Sequence, residues 1–168
     1  MKRRDMTMAR GARGLTMIEM LVVVAIAGIL GLMAVPAVYD KLVRDQVIDS
    51  LRMAEPAKPP ITTAWTTTQT FPVSNAAAAL PAPENFVSNY VSSMAINNGA
   101  IDITFGNGGS GALRGKILTI RPAVVVGAPV VPITWLCGHA STPPRMTVIG
   151  EDRTDVPAQF LPVSCRAG

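Results

Sequence analysis

A single carboxylate, Glu19, stands at the entrance to a run of twenty residues, Met20–Tyr39, that is free of charged side chains until Asp40. An ionised carboxylate on an apolar helix costs on the order of 3 kcal/mol on membrane-insertion scales. Glu19 therefore calls either for a cationic partner or for a place at the headgroup interface. Reactive side chains elsewhere are few: Cys137 and Cys165 are the 2 cysteines and His139 the 1 histidine. Two thiols and one imidazole fall short of a metal site, and no CxxC pair is present. Gly115-Lys116 approaches a phosphate-binding loop, but Ser110 stands where the first Gly belongs and Ile117 follows the Lys. With no GxSxG and no paired catalytic-type carboxylates, nothing points to an enzyme, a cofactor or a bound metal.

The surroundings of Glu19 narrow its meaning. Twenty residues at about 1.5 Å each cover about 30 Å, the thickness of a bilayer's hydrocarbon core. Ahead of them, Met1–Gly14 holds Lys2, Arg3, Arg4, Arg10 and Arg13 against Asp5, which accounts for the whole net charge of +4. The pI of about 9.5 thus describes a leader of the kind that holds a segment on the cytoplasmic side. It does not describe a nucleic-acid surface, since no basic patch with interleaved aromatics occurs elsewhere. A secretory signal would put its cleavage site after the apolar run, whereas the A-x-A string Ala25-Ile26-Ala27 lies inside it. A plain membrane anchor leaves Glu19 unexplained, and Arg3-Arg4 is followed by nothing else that marks a twin-arginine signal.

Gly14-Leu15-Thr16-Met17-Ile18-Glu19 followed by MLVVVAIAGILGLMAVPAVYDKL resembles the start of a type IV prepilin. The resemblance implies removal of the leader between Gly14 and Leu15 by a prepilin peptidase, N-methylation of Leu15, and an assembly role for Glu19 at the fifth position of the mature chain. It also makes Pro36 a helix-kinking proline. One departure is Leu15 itself, where Phe is usual. The free amine of Leu15 in a neighbouring copy would neutralise Glu19 and fix the register between copies. A second match lies at the other end. Gly115–Ile120, Ile133–Cys137 and Phe160–Arg166 resemble the final strands and the disulfide-closed C-terminal region of type IVa pilins. A membrane run at the N-terminus also places the chain beyond it in an oxidising space, where two cysteines usually pair. Closing the loop between Cys137 and Cys165 would stabilise the head by about 3–4 kcal/mol in the chain-entropy model.

The elements that must carry these residues are set by periodicity. Val38, Leu42, Val43, Val47 and Leu51 recur at helical spacing, with Asp40, Lys41, Arg44, Asp45 and Asp49 on another face. One helix is expected to leave the apolar run and continue as an amphipathic rod. Gly28 and Gly31 lower helix propensity by about 1 kcal/mol each but let apolar helices approach closely. Pro56, Pro59 and Pro60 predict a break or strong bend over 54–60. Beyond it lies either a second helical piece starting at Pro59 or Pro60 and reaching about Thr68, or a loop from Pro56 onward. Thr70–Pro83 reads as an ordered loop. Tyr90–Ile96 and Ala100–Phe105 read as strands around the turn Asn97-Asn98-Gly99, with Asp102 and Thr104 on the solvated side of the second. Lys116–Arg121 and Ile133–Cys137 supply two more.

The expected fold is α+β. A long N-terminal hydrophobic helix packs on a roughly four-stranded antiparallel sheet, closed at the C-terminus by a disulfide. The expected divisions are a leader over 1–14, a helix over 15–68 (transmembrane and filament-core part 15–39, amphipathic part 40–55) and a head over 69–168. The resemblance implies a pilus subunit that polymerises with copies of itself, working with a prepilin peptidase/methylase, pilus assembly machinery and minor pilins. Its precursor would sit in the bacterial inner membrane, and its filament would serve adhesion, twitching or DNA uptake, meeting a host surface or DNA. A minor pilin or a type II secretion pseudopilin is the alternative within the class, and a signal-anchored periplasmic binding protein the one outside it. The native chain is expected to begin at N-methyl-Leu15, which mass spectrometry of its N-terminus checks; an intact Met1, or a cut beyond the apolar run, contradicts it.

Overall fold

The computed structural model describes residues 16–168, so Gly14 and Leu15 lie outside the described residues. The chain falls into two units divided between Val38 and Tyr39. The first helix, α1, is Met17–Leu51. It passes into a 3-10 segment, Arg52–Ala57, and then into a second helix, α2, Lys58–Thr68. Where the prolines predict a break, the chain tightens instead. Pro56 lacks the N–H that an α-helical ladder needs, and the Lys58 N–H bonds the Glu55 carbonyl three residues back. Pro59 and Pro60 fall in the first turn of α2, where donors lack intrahelical partners in any case. Gln69 ends α2 in the left-handed region at φ 54°, and Phe71 returns to stack on Trp65 with ring centroids 4.9 Å apart.

Five strands come next: β1 Val91–Asn97, β2 Ala100–Phe105, β3 Ile117–Val124, β4 Thr134–Cys137 and β5 Thr147–Val148. They form one antiparallel sheet in the order β1-β2-β3-β4. Ile103 sits opposite Leu118 and Ile101 opposite Ile120. The β1–β2 turn needs positive φ at both central residues, which Asn98 at 47° and Gly99 at 81° supply. The short β5 has no counterpart among the expected strands. It pairs Val148 with Ala123, whose other edge is taken by Thr134, and so extends the side of β3 that β2 occupies lower down. Gly150 then passes so close to Ala100 that a Cβ there would lie 2.6 Å from the alanine's own.

Within the second unit, one side of the helical path is buried: Val43, Val47, Ser50, Ala54, Ala57, Ile61 and Trp65. Each lies three or four residues from the next, and the stripe runs unbroken through the 3-10 segment. Val43 and Val47 pack with Phe105, Leu113, Leu118 and Phe160. Ala54, Ala57 and Ile61 pack with Met94, Ile101, Ile103 and Ile120. The two alanines let the backbone lie close to the sheet. Burying each large aliphatic side chain contributes about 1.5–3 kcal/mol. The predicted apolar face of the rod divides: Val43 and Val47 enter the core, while Val38 and Leu42 remain exposed.

The opposite side of the sheet corrects another expectation. Asp102 is only 3% exposed, because residues 152–155 run across that side. Its carboxylate accepts from Thr119 Oγ1 at 2.7 Å, from Asn97 Nδ2 at 2.7 Å and from Arg153 Nη1 at 3.2 Å. Thr119 in turn is held by the Thr154 hydroxyl at its N–H and by the Arg153 N–H at its oxygen. A buried carboxylate survives when its lone pairs are filled in this way.

Candidate functional site

Thr16 stands immediately before α1, and its Oγ1 accepts the backbone N–H of Glu19 at 3.3 Å. This is the S/T-x-x-E spacing of a capping box. The four residues just ahead of the apolar run thus also specify where its helix starts. Glu19 falls in the first turn, the end at which a negative charge suits the helix dipole. From Thr16 to Leu32 every residue is exposed, among them Met17, Leu21, Val24, Ile29 and Leu32. A Cβ added at Gly28 or Gly31 would meet nothing within 4 Å, so packing inside the chain does not require either glycine. Exposed apolar helix of this length is unfavourable in water, where each fully exposed large side chain forgoes about 1.5–3 kcal/mol. Its chemistry suits an apolar surrounding, whether lipid or other helices.

In the second unit, the head grips the remainder of α1 by polar contacts as well as by the core. Ser110, which spoils the phosphate-loop pattern, is a strap. Its N–H donates to Gln46 Oε1 at 2.9 Å and its hydroxyl pairs with the Tyr39 hydroxyl at 2.8 Å. The Gly-rich turn around it therefore lies on α1. Arg44 Nη2 donates to the Gln159 carbonyl at 2.6 Å, which ties α1 to the C-terminal segment. None of these three contacts is visible in the sequence, since all span large separations and use ordinary polar residues.

Cys137 and Cys165 form the disulfide, with Cα atoms 4.5 Å apart. Cys165 lies in the core beside Phe160 and Leu161. Gly138 follows Cys137 at φ 52°, and a Cβ there would come within 2.8 Å of the Cys165 carbonyl. That carbonyl accepts the His139 N–H at 3.0 Å. His139 joins a polar cluster: its Nδ1 meets Asp152 Oδ2 at 2.8 Å, and Arg121 Nη2 reaches the same oxygen at 3.5 Å. Among the described residues no cluster of His, Cys, Asp and Glu could hold a metal ion. Partial burial alone would raise the Asp152 carboxyl. It is outweighed by the side-chain and backbone hydrogen bonds from Thr154, by His139 and by the Arg121 charge, which together hold Asp152 below the usual carboxylate range.

The profile of the pilin family, described as a bacterial filament, matches residues 43–166. The chain belongs to the pilin family. A prokaryotic N-terminal methylation motif matches residues 9–35, a stretch that includes Gly14, Leu15 and Glu19. Among curated relatives, the type IV major pilin protein PilE1 of Neisseria gonorrhoeae is 29% identical over 139 residues, covering 79% of this chain and 75% of the relative. A fimbrial protein of Neisseria meningitidis serogroup B is 27% identical over 142 residues, covering 79% and 81%. This pilin is thus a structural, non-enzymatic type IV pilus subunit. Its long helix, antiparallel sheet and C-terminal disulfide are the α+β pilin fold.

The lowered Asp152 pKa has a defined sign. The stabilisation is fully present above the unfolded carboxylate value of about 3.9 and is lost as pH falls through the lower folded value. Asp152→Asn is therefore expected to lower the melting temperature at pH 7 and to weaken its fall on acidification below about pH 4. Parallel thermal melts of the two full-length pilins across that range check this.

Proposed function

We propose that this pilin is a major subunit of a type IV pilus, built into the filament through α1. The exposed, charge-free helical surface from Met20 to Leu32 carries the reading, because it needs an apolar environment before and after assembly. The precursor sits in the bacterial inner membrane with its basic leader inside and the unit from Tyr39 onward outside. A prepilin peptidase cuts between Gly14 and Leu15 and methylates the Leu15 amine. The match of a methylation motif to residues 9–35 supports this processing. Helices from Leu15 onward then exchange lipid for one another and form the filament's core. Gly28 and Gly31 permit close approach between copies, and Pro36 gives α1 a place to bend. The head over 69–168 forms the surface. The name of the gonococcal relative, a major pilin, supports major rather than minor status.

Glu19 is the residue that orders this exchange. In a helical array each copy is offset along the axis from the one before, so its Glu19 can meet the N-terminal amine of a neighbour. The pair neutralises two charges that would otherwise be buried singly, a loss of about 3–5 kcal/mol when one partner is missing. The filament surface then serves adhesion, twitching motility or DNA uptake, acting together with assembly machinery and minor pilins.

The test is Glu19→Ala in the producing cell. The precursor is expected to insert and to be cut as before, while pilin recovered in sheared filaments falls by about tenfold or more, the effect of losing more than 1.4 kcal/mol of subunit docking. Filament yield equal to that of the unsubstituted chain removes Glu19 from the mechanism.

A further inference from the structure

One charge-free stretch of the head runs from Pro122 to Gly138. Its middle is the loop between β3 and β4. Two successive turns shape it, with the Ala128 N–H bonded to the Val125 carbonyl at 3.2 Å and the Val131 N–H to the Ala128 carbonyl at 3.0 Å. These turns hold Val126 and Val130 outward, 71% and 90% exposed. The same head carries an apolar groove of about 420 Å³ against β1, bounded by Val73, Leu80, Pro83 and Ile96, with no charged side chain in its lining. Asn75 fixes its floor, donating to the carbonyls of Pro81 and Met94 and accepting the Ile96 N–H at 2.7 Å.

We propose that the β3–β4 loop of one copy, led by Val126 and Val130, seats in the β1-edge groove of a neighbouring copy. The inference rests on the filament reading above. Three observations select a second copy as the occupant. Both surfaces lack charge, so neither repels the other nor strands an ion. The sheet order places the groove at the β1 edge and the loop between β3 and β4, so the two patches are different and their pairing is head-to-tail. Such contacts propagate into open helical arrays, whereas self-complementary patches close into dimers. Finally, a contact of two valines and one groove is far smaller than the roughly 1,200–2,000 Å² that a stable free complex buries. It can act only where α1 already holds copies side by side at high effective concentration. The loop thereby sets the register of heads and leaves unassembled pilin monomeric.

The test uses full-length pilin assembled by the producing cell. Filaments carrying Val130→Cys with Val73→Cys, oxidised and then dissolved in detergent, are expected to run as a ladder of covalent multimers. Either substitution alone should give no ladder. A monomer band from intact double-variant filaments overturns the proposal, as does equal labelling of the Val73→Cys thiol in filaments and in dispersed subunits. A second arm does not depend on crosslinking. Val130→Lys is expected to lower the temperature at which filaments dissociate, and Ser74→Glu, at the groove, to restore it in the same chain. Dissociation of the Val130→Lys filaments at the original temperature overturns the proposal. Absence of any filament from the unsubstituted chain instead removes the reading on which it rests.

Discussion

A helix surface of membrane length with no charge between Glu19 and Asp40 is soluble nowhere by itself. The large apolar side chains exposed between Met17 and Leu32 each forgo, in water, much of the about 1.5–3 kcal/mol that full burial supplies. The chain must therefore always have something apolar against α1. Lipid meets this requirement without regard to identity, and it accommodates a carboxylate only at its headgroup interface. Copies of the same helix meet it too, and after the proposed cleavage each copy would bring an amine. Under the proposed pairing, the location of Glu19 at the start of the apolar run would make the second setting the more favourable one and would give assembly its direction.

The head is constructed so that the remainder of α1 cannot drift relative to the sheet. Val43 and Val47 enter one cluster, while Ala54, Ala57 and Ile61 enter the next. Ser110 and Gln159 add polar straps to Gln46, Tyr39 and Arg44. The disulfide closes the C-terminal segment that supplies Phe160 and Leu161 to the same core. Asp152 joins His139 and Arg121 beside it. Each device acts on a different part of the head, and together they give a subunit whose surface features hold fixed positions relative to its own segment of α1.

What the sequence made legible is local or periodic. The β1–β2 hairpin was readable because Asn98-Gly99 supplies the two positive φ values that a tight turn requires. The pairing of Cys137 with Cys165 followed from compartment and number. The α+β class followed from one long apolar helix and several alternating strands. The departures arise where a distant segment decides. Asp102 reads as a solvent-facing position in an alternating strand, and only the passage of Arg153 and Thr154 over it makes it buried. β5 is two residues long, too short for any period. Of the two readings after Leu51, the second helix with Pro59 and Pro60 in its first turn is the one present. Ala54 and Ala57 keep the buried stripe in register through the 3-10 segment that stands where a break was expected. The capping role of Thr16 was present in the spacing of Thr16 and Glu19, masked by the stronger signal of the carboxylate itself.

Helical reconstruction of the native filament by electron cryomicroscopy, at side-chain resolution, tests the central claim directly. The account predicts α1 helices packed on one another from the N-terminus through Leu32, with each Glu19 carboxylate within about 4 Å of the N-terminal amine of another copy, the reach of an ion pair. A filament core built without α1, or a Glu19 with no amine in reach, would contradict it.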